Sequence, residues 1–138
     1  MNLYEPPIED FDFIFHRLLK VQNMNLNGYS DLSPEFTNPI LHAAGKLAKE
    51  ELAPINMSGD KEGCVLENGI VRTPQGFKEA FQKVNDGGWT GIDCDPEFGG
   101  QGMPHVLSLA VGEMFCSANM ALNMYHGLTH GAYSAIYQ

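Results

Sequence analysis

The sequence predicts an all-α domain carrying at most a small hairpin near residues 64–71. Three observations lead there. Apolar residues recur at spacings of three and four in several separate segments, which places them on single helix faces. Proline and glycine punctuate the intervals between those segments. Short β-prone runs occur at one place, around Asn68-Gly69.

The first helix follows Pro6-Pro7, with Ile8, Phe11, Ile14, Phe15 and Leu18 on one face. Asn23 to Asn38 is rich in Asn, Gly, Ser, Asp and Pro and reads as loop. A second helix is expected with Thr37 or Asn38 as its cap and Pro39 at an early position. Its apolar face is Ile40, Ala44, Leu47, Ala48 and Leu52, and Pro54 should stop it. Residues 55 to 64 are polar. The run Cys64 to Val71 then forms two short strands around Asn-Gly, a pair that tolerates the positive φ of a tight hairpin turn. Two strands cannot hold a sheet core, so the hairpin decorates a helical domain. Thr73-Pro74 is expected to cap a third helix with Phe77, Ala80, Phe81 and Val84 inward, ended by Gly87-Gly88. Trp89 to Met103 is irregular. Pro104 opens a fourth helix through Val106, Leu107, Ala110, Val111 and Met114, and Ser117 to Gln138 continues in helical pattern past Gly127 and Gly131. Apolar residues run to Ala135, Ile136 and Tyr137 with no stop signal, which suggests a fragment cut in mid-helix.

With 138 residues, 43% of them hydrophobic, the chain is long enough for one globular domain with a buried core. Seventeen acidic residues against eight basic ones leave a net charge of -9. Such a surface repels phosphate backbones and anionic lipid heads, which argues against nucleic-acid and peripheral membrane partners. The uninterrupted apolar runs are far shorter than the roughly 20 residues of a membrane helix. Glu5, Glu9, Asp10 and Asp12 precede any basic residue, the wrong charge for a signal or transit peptide. Cys64, Cys94 and Cys116 contain no C-x-x-C pair and read as reduced thiols of a cytoplasmic protein.

Several constellations bear on chemistry. Gly99-Gly100-Gln101-Gly102 lacks the strand–turn–helix frame of a phosphate cradle and reads as a structural turn. Asp93, Asp95 and Glu97 alternate like calcium ligands, but Phe98 stands where that loop needs glycine and Pro104 where it needs glutamate. His126 and His130 are four apart and could share a metal. No Glu follows the first and no third ligand is evident, so packing or a pocket lining is the simpler reading and no metal is expected. No nucleophile motif occurs. Met114, Phe115, Met120, Met124 and Tyr125 recur at helical spacing and read as core.

Gly87-Gly88-Trp89, followed by Asp95-Pro96-Glu97-Phe98-Gly99-Gly100-Gln101-Gly102-Met103-Pro104, resembles the GW…PEEYGGQGLP stretch of acyl-CoA dehydrogenases. Glu113 and Ser117-Ala118-Asn119-Met120-Ala121 are similar to that family's next segment. The opening YEPPIEDFDFIFHRLL, Gly59 to Cys64, Thr73 to Ala80 and Gly127 to Ala132 resemble its long, 3-(methylthio)propionyl-CoA dehydrogenase-like subfamily.

The resemblance implies the helical N-terminal domain of a three-part enzyme, with residues 1–36 a one-helix extension and residues 37–138 the domain itself, truncated in its last helix. In the complete enzyme a glutamate of the C-terminal domain removes the α-proton of the acyl-CoA, and the β-hydrogen passes as hydride to FAD. The resemblance therefore places no catalytic, flavin-binding or metal residue in this chain. It implies instead a wall of the acyl pocket. Aligning Glu113 with the family's glutamate puts Leu122, Asn123 and His126 on the pocket side, where relatives often carry Gln, Thr and Glu. An acyl-CoA substrate, electron-transfer flavoprotein or another acceptor, and a homo-oligomer are implied for the complete enzyme, and the chain alone is expected to be inactive. The alternative is a standalone helical module that binds a protein partner without catalysis.

Overall fold

A computed structural model of the chain describes residues 4–137. The expectations for residues 1–3 and for Gln138 lie outside that range. The described chain is helical apart from one hairpin: α1 (Ile8–Asp12), α2 (Pro34–Leu47), α3 (Asn56–Glu62), β1 (Val65–Glu67), β2 (Ile70–Arg72), α4 (Phe77–Asp86) and α5 (His105–Tyr137). The fold class is the one the sequence predicts.

Around α1 the winding departs from expectation. Phe13–Leu18 continues as a π-helical turn, with the Leu19 N–H donating to the Ile14 carbonyl at 2.8 Å. Wider winding keeps Phe11 and Phe15 inward and swings Leu18 out to 63% exposure, so the five-residue apolar face narrows to two buried rings.

α2 starts earlier than expected. Ser33 is the cap, its Oγ accepting from the Phe36 N–H, and Pro34 occupies the first turn. Thr37 and Asn38, the expected caps, serve tertiary contacts to α1 instead. Thr37 Oγ1 lies 2.8 Å from His16 Nε2, and Asn38 Nδ2 donates to Asp12 Oδ1 at 3.1 Å. Pro54 does not stop the chain's helical course. A π-turn (Ala48–Leu52) and a 3-10 turn (Ala53–Ile55) lead into α3, because Pro54 sits at the start of the 3-10 turn where a missing N–H costs little. The polar stretch expected over residues 55 to 64 is therefore mostly helix.

The hairpin forms in the register Val65↔Arg72, Leu66↔Val71, Glu67↔Ile70, with Asn68 at φ 51° and Gly69 at φ 77°. Both central residues are left-handed, as a tight hairpin turn of this twist requires. α4 is capped by Gly76 rather than by Thr73-Pro74; it buries Phe77, Ala80 and Val84 and leaves Phe81 half-buried.

α5 holds the domain together and is broken once. Asn119 has φ −159° and ψ 89°, dividing a core-spanning half from a second half. The first half buries Leu107, Ala110, Val111, Met114, Phe115 and Ala118 against Leu41, Ala44, Ala48 and Leu52 of α2 and its π-turn. The N-terminal extension shares this core: Phe11, Phe15, Val21 and Leu32 are buried in it, and the Tyr4 hydroxyl donates to the Met114 carbonyl at 3.0 Å. By length and composition α5 could cross a membrane, with a mean hydropathy of 1.2 over its most apolar window. Its apolar residues are interspersed with small and polar ones, so no uninterrupted apolar run of membrane length marks it in the sequence. Its first half is nevertheless packed as a core helix.

At the break, Asn119 Nδ2 donates to the Leu52 carbonyl at 3.2 Å and Oδ1 accepts from the Leu122 N–H at 3.0 Å. The side chain is fully buried and caps the second half of α5 while closing off the end of the preceding π-turn. Asn119→Ala would strand both groups. It is expected to lower unfolding free energy by about 1–3 kcal/mol in urea denaturation. Asn119→Asp keeps the acceptor but sets a buried carboxylate oxygen against the Leu52 carbonyl, and should lose at least as much near neutral pH; equal stability for Asn119→Ala and wild type would refute this role.

Candidate functional site

The second half of α5 and the irregular loop before α5 bring together most of the polar side chains of the candidate site. The loop is tied down by its backbone. Gly100 N–H donates to the Asp95 carbonyl, Gln101 N–H to Gly91, Gly102 N–H to Cys94 and Met103 N–H to Ile92, at 2.8–3.0 Å. A Cβ on Gly100 would sit 2.1 Å from the Cys94 carbonyl oxygen, so only glycine allows this close approach. These N–H groups are occupied, and a phosphate finds no cradle here.

A cleft of about 120 Å³ opens between α4, the Trp89–Gly91 turn and α5. Val84, Trp89, Val111 and Phe115 give it apolar walls. Thr90, Ser108, Asn123, His126 and His130 give it polar ones. His126 is 8% exposed, and neither ring nitrogen has a hydrogen-bond partner. Its ring stacks on Phe81, with centroids 4.7 Å apart and planes 5° from parallel. Burial pushes its pKa down, which favours the neutral ring. Asn123 also lines the cleft and donates from Nδ2 to Cys116 Sγ at 3.0 Å. Leu122 does not line it: the residue is fully buried on the core side of the same helix. The structure thus brings Asn123 and His126 together at the cleft, with Leu122 behind them.

His126 and His130 do not converge. His130 Nε2 lies 2.9 Å from Asp93 Oδ1, and His105 Nδ1 lies 2.5 Å from Asp93 Oδ2. The Asp93 side chain is 8% exposed. Burial pushes its carboxyl up, but the hydrogen bonds from His105 and His130 and the charge of His130 outweigh that and hold it below its ordinary value. Asp95 plays another part: its Oδ1 accepts from the Glu97 N–H and its Oδ2 from the Tyr137 hydroxyl. The alternating acids therefore turn to different partners rather than to one ion.

Sequence reasoning missed Thr90, Ser108 and the Phe81 stack. It also missed the pairing of His130 with Asp93, which lies 37 residues earlier in the chain. Helical spacing reports only neighbours on one helix, and these contacts come from elsewhere in the chain.

Comparison with known proteins names the class of this helical domain. The family described as "Acyl-CoA dehydrogenase, N-terminal domain" matches residues 37–138. The chain belongs to the acyl-CoA dehydrogenase family. It is 34% identical over 134 residues to 3-methylmercaptopropionyl-CoA dehydrogenase of Ruegeria pomeroyi, a match covering 96% of this chain and 23% of that protein. It is 27% identical over 130 residues to the broad-specificity linear acyl-CoA dehydrogenase of Mycobacterium tuberculosis, covering 92% of this chain and 21% of that one. The chain thus spans about a quarter or less of the length of these relatives.

The family is FAD-dependent. The glycine turn forms no backbone cradle for its diphosphate, because its N–H groups are occupied.

His126 makes stability depend on pH. Its folded pKa lies below the ordinary 6.5, so the unfolded chain binds the proton first as pH falls. The stability of the neutral ring is present above pH 6.5 and is lost as pH drops from there toward the folded value. His126→Leu removes that component. The stability difference between wild type and His126→Leu is expected to shift against wild type between pH 7.5 and 5.5, by at most about 1.4 kcal/mol per pH unit. Urea denaturation across that range checks it, and a pH-independent difference would refute it.

Proposed function

We propose that the chain is the N-terminal part of an FAD-dependent acyl-CoA dehydrogenase, and that it supplies one wall of the acyl pocket. The observation that carries this reading is the match of the N-terminal domain family over residues 37–138. Asn123 and His126 face the acyl chain, with Leu122 behind them holding the helix to the core. An unpaired imidazole in a mostly apolar cleft suits an acyl chain with one polarisable or weakly polar atom. Proton abstraction, the flavin, the coenzyme A phosphates and the electron acceptor, electron-transfer flavoprotein or another, belong to parts of the enzyme outside these residues. At a net charge of -9 this domain is a poor dock for phosphates. The complete enzyme would act in the cytoplasm as a homo-oligomer.

The exposed apolar strip on the second half of α5 supports the same reading. Met120, Met124, Leu128 and Ile136 are 58–85% exposed, an arrangement that marks a face meant for another surface.

Two experiments test the proposal. Mixed with FAD and an acyl-CoA, the 138-residue chain is expected to hold no stoichiometric flavin and to bleach none; turnover by the chain alone would overturn the assignment of catalysis elsewhere. A chimera with residues 1–138 in place of the matched segment of the Ruegeria pomeroyi enzyme is expected to load flavin and oxidise 3-methylmercaptopropionyl-CoA. In that chimera His126→Ala should raise KM several-fold with a smaller change in kcat. An unaltered KM for His126→Ala and Asn123→Ala alike would remove these residues from the pocket.

A further inference from the structure

We propose that Asp93, Cys94 and His130 form a binding site for a borderline divalent cation of the zinc class, supported from outside by His105. One ligand atom from each of the three lies within 4.8 Å of the others. In a zinc site with bonds of about 2.0–2.3 Å, neighbouring ligand atoms stand roughly 3–4 Å apart. A small closure therefore suffices, and the Asp93–His130 pair is already at 2.9 Å. Carboxylate oxygen, thiolate sulfur and imidazole nitrogen together suit Zn²⁺ better than Mg²⁺ or Ca²⁺, which take oxygen alone. Three protein ligands leave a fourth position for water.

The surroundings are those of a prepared site. The Cys94 backbone is clamped, its N–H donating to Gly91 and its carbonyl accepting from Gly102, with Gly100 packed against it. The next N–H, of Asp95, donates to the Tyr133 hydroxyl at 2.9 Å, which fastens the loop to α5 one turn beyond His130. His105 occupies the second oxygen of Asp93, as outer partners orient ligating carboxylates in metal sites. His130 is 31% exposed at its side chain and offers an entry path, whereas Cys94 is buried and the Asp93 side chain is 8% exposed. On binding, the thiol proton of Cys94 and the Nε2 proton that His130 gives to Asp93 both leave to solvent, Nδ1 keeps the ring's remaining proton, and the hydrogen bond between His130 and Asp93 is replaced by bonds from each, and from the Cys94 sulfur, to the metal.

The test uses the 138-residue chain, stripped with a chelator and titrated with Zn²⁺ by calorimetry and with Co²⁺ by absorption. One equivalent should bind with proton release, and the Co²⁺ form should show a thiolate charge-transfer band. Cys94→Ser should abolish the band, Cys64→Ser should keep it, and His130→Gln should weaken Zn²⁺ binding at least about tenfold. His105→Gln should weaken it about 10–100-fold while leaving the band in place. Circular dichroism of each variant confirms that it folds. Absence of stoichiometric binding, a Co²⁺ spectrum with no thiolate band, or metal retained by both Cys94→Ser and His130→Gln would each overturn the site and leave Asp93 as a hydrogen-bonded brace.

Discussion

The break at Asn119 is the constraint on which the rest of the domain depends. A 33-residue helix cannot keep one face on a compact core along its whole length and also present polar groups beside it. Asn119 resolves this by leaving helical geometry; its one side chain satisfies the Leu122 N–H that the departure would orphan and also reaches the Leu52 carbonyl at the end of the π-turn packed against α5. The apolar face before the break packs between α2 and the Trp89–Gly91 turn. Everything after it is re-aimed, so that Leu122 and His126 still point inward while Met120, Met124 and Leu128 do not.

The same economy recurs where polar residues stand in for helix regularity. Thr37 and Asn38 have the chemistry of caps, but Ser33 already caps α2, and they are released to hold α1 through His16 and Asp12. The π-turn after α1 gives up the outward residues of an apparent apolar face to bury two phenylalanine rings at a closer approach. Each departure from an ideal helix is matched by a hydrogen bond or a buried ring on the far side of it.

This explains which features were legible beforehand. The hairpin could be read because Asn68-Gly69 encodes its own backbone, and α4 because Phe77, Ala80 and Val84 encode a face within a single helix. The motif from Asp95 to Pro104 carried the family resemblance, and the family is shown. Pro54 misled because a proline's effect depends on whether its N–H would have been used, and a 3-10 start leaves it unused. The start of α2 misled because three residues of capping type compete within six positions, and only tertiary partners decide among them. For the candidate site, Asn123 and His126 were within reach of helical spacing. Phe81 over His126, and Asp93 between two histidines, were not.

Those two unread contacts divide the polar chemistry of the domain between two neighbouring histidines. Four residues apart on one helix, they are chemically alike in isolation. Phe81 stacks flat on His126, and burial favours the neutral ring, whose two nitrogens are buried without a hydrogen-bond partner beside a small cleft. Asp93 takes His130 instead, into a network that ties the glycine turn to α5. The pocket wall proposed above would need the first environment, since a charged imidazole would draw water into an apolar chain's place. A loop with its backbone bent as tightly as residues 91–103 needs the second, since an ionised carboxylate held by two rings anchors it from both sides. Separating the roles lets one helix hold the loop firmly and still leave an unpaired group facing whatever enters the cleft.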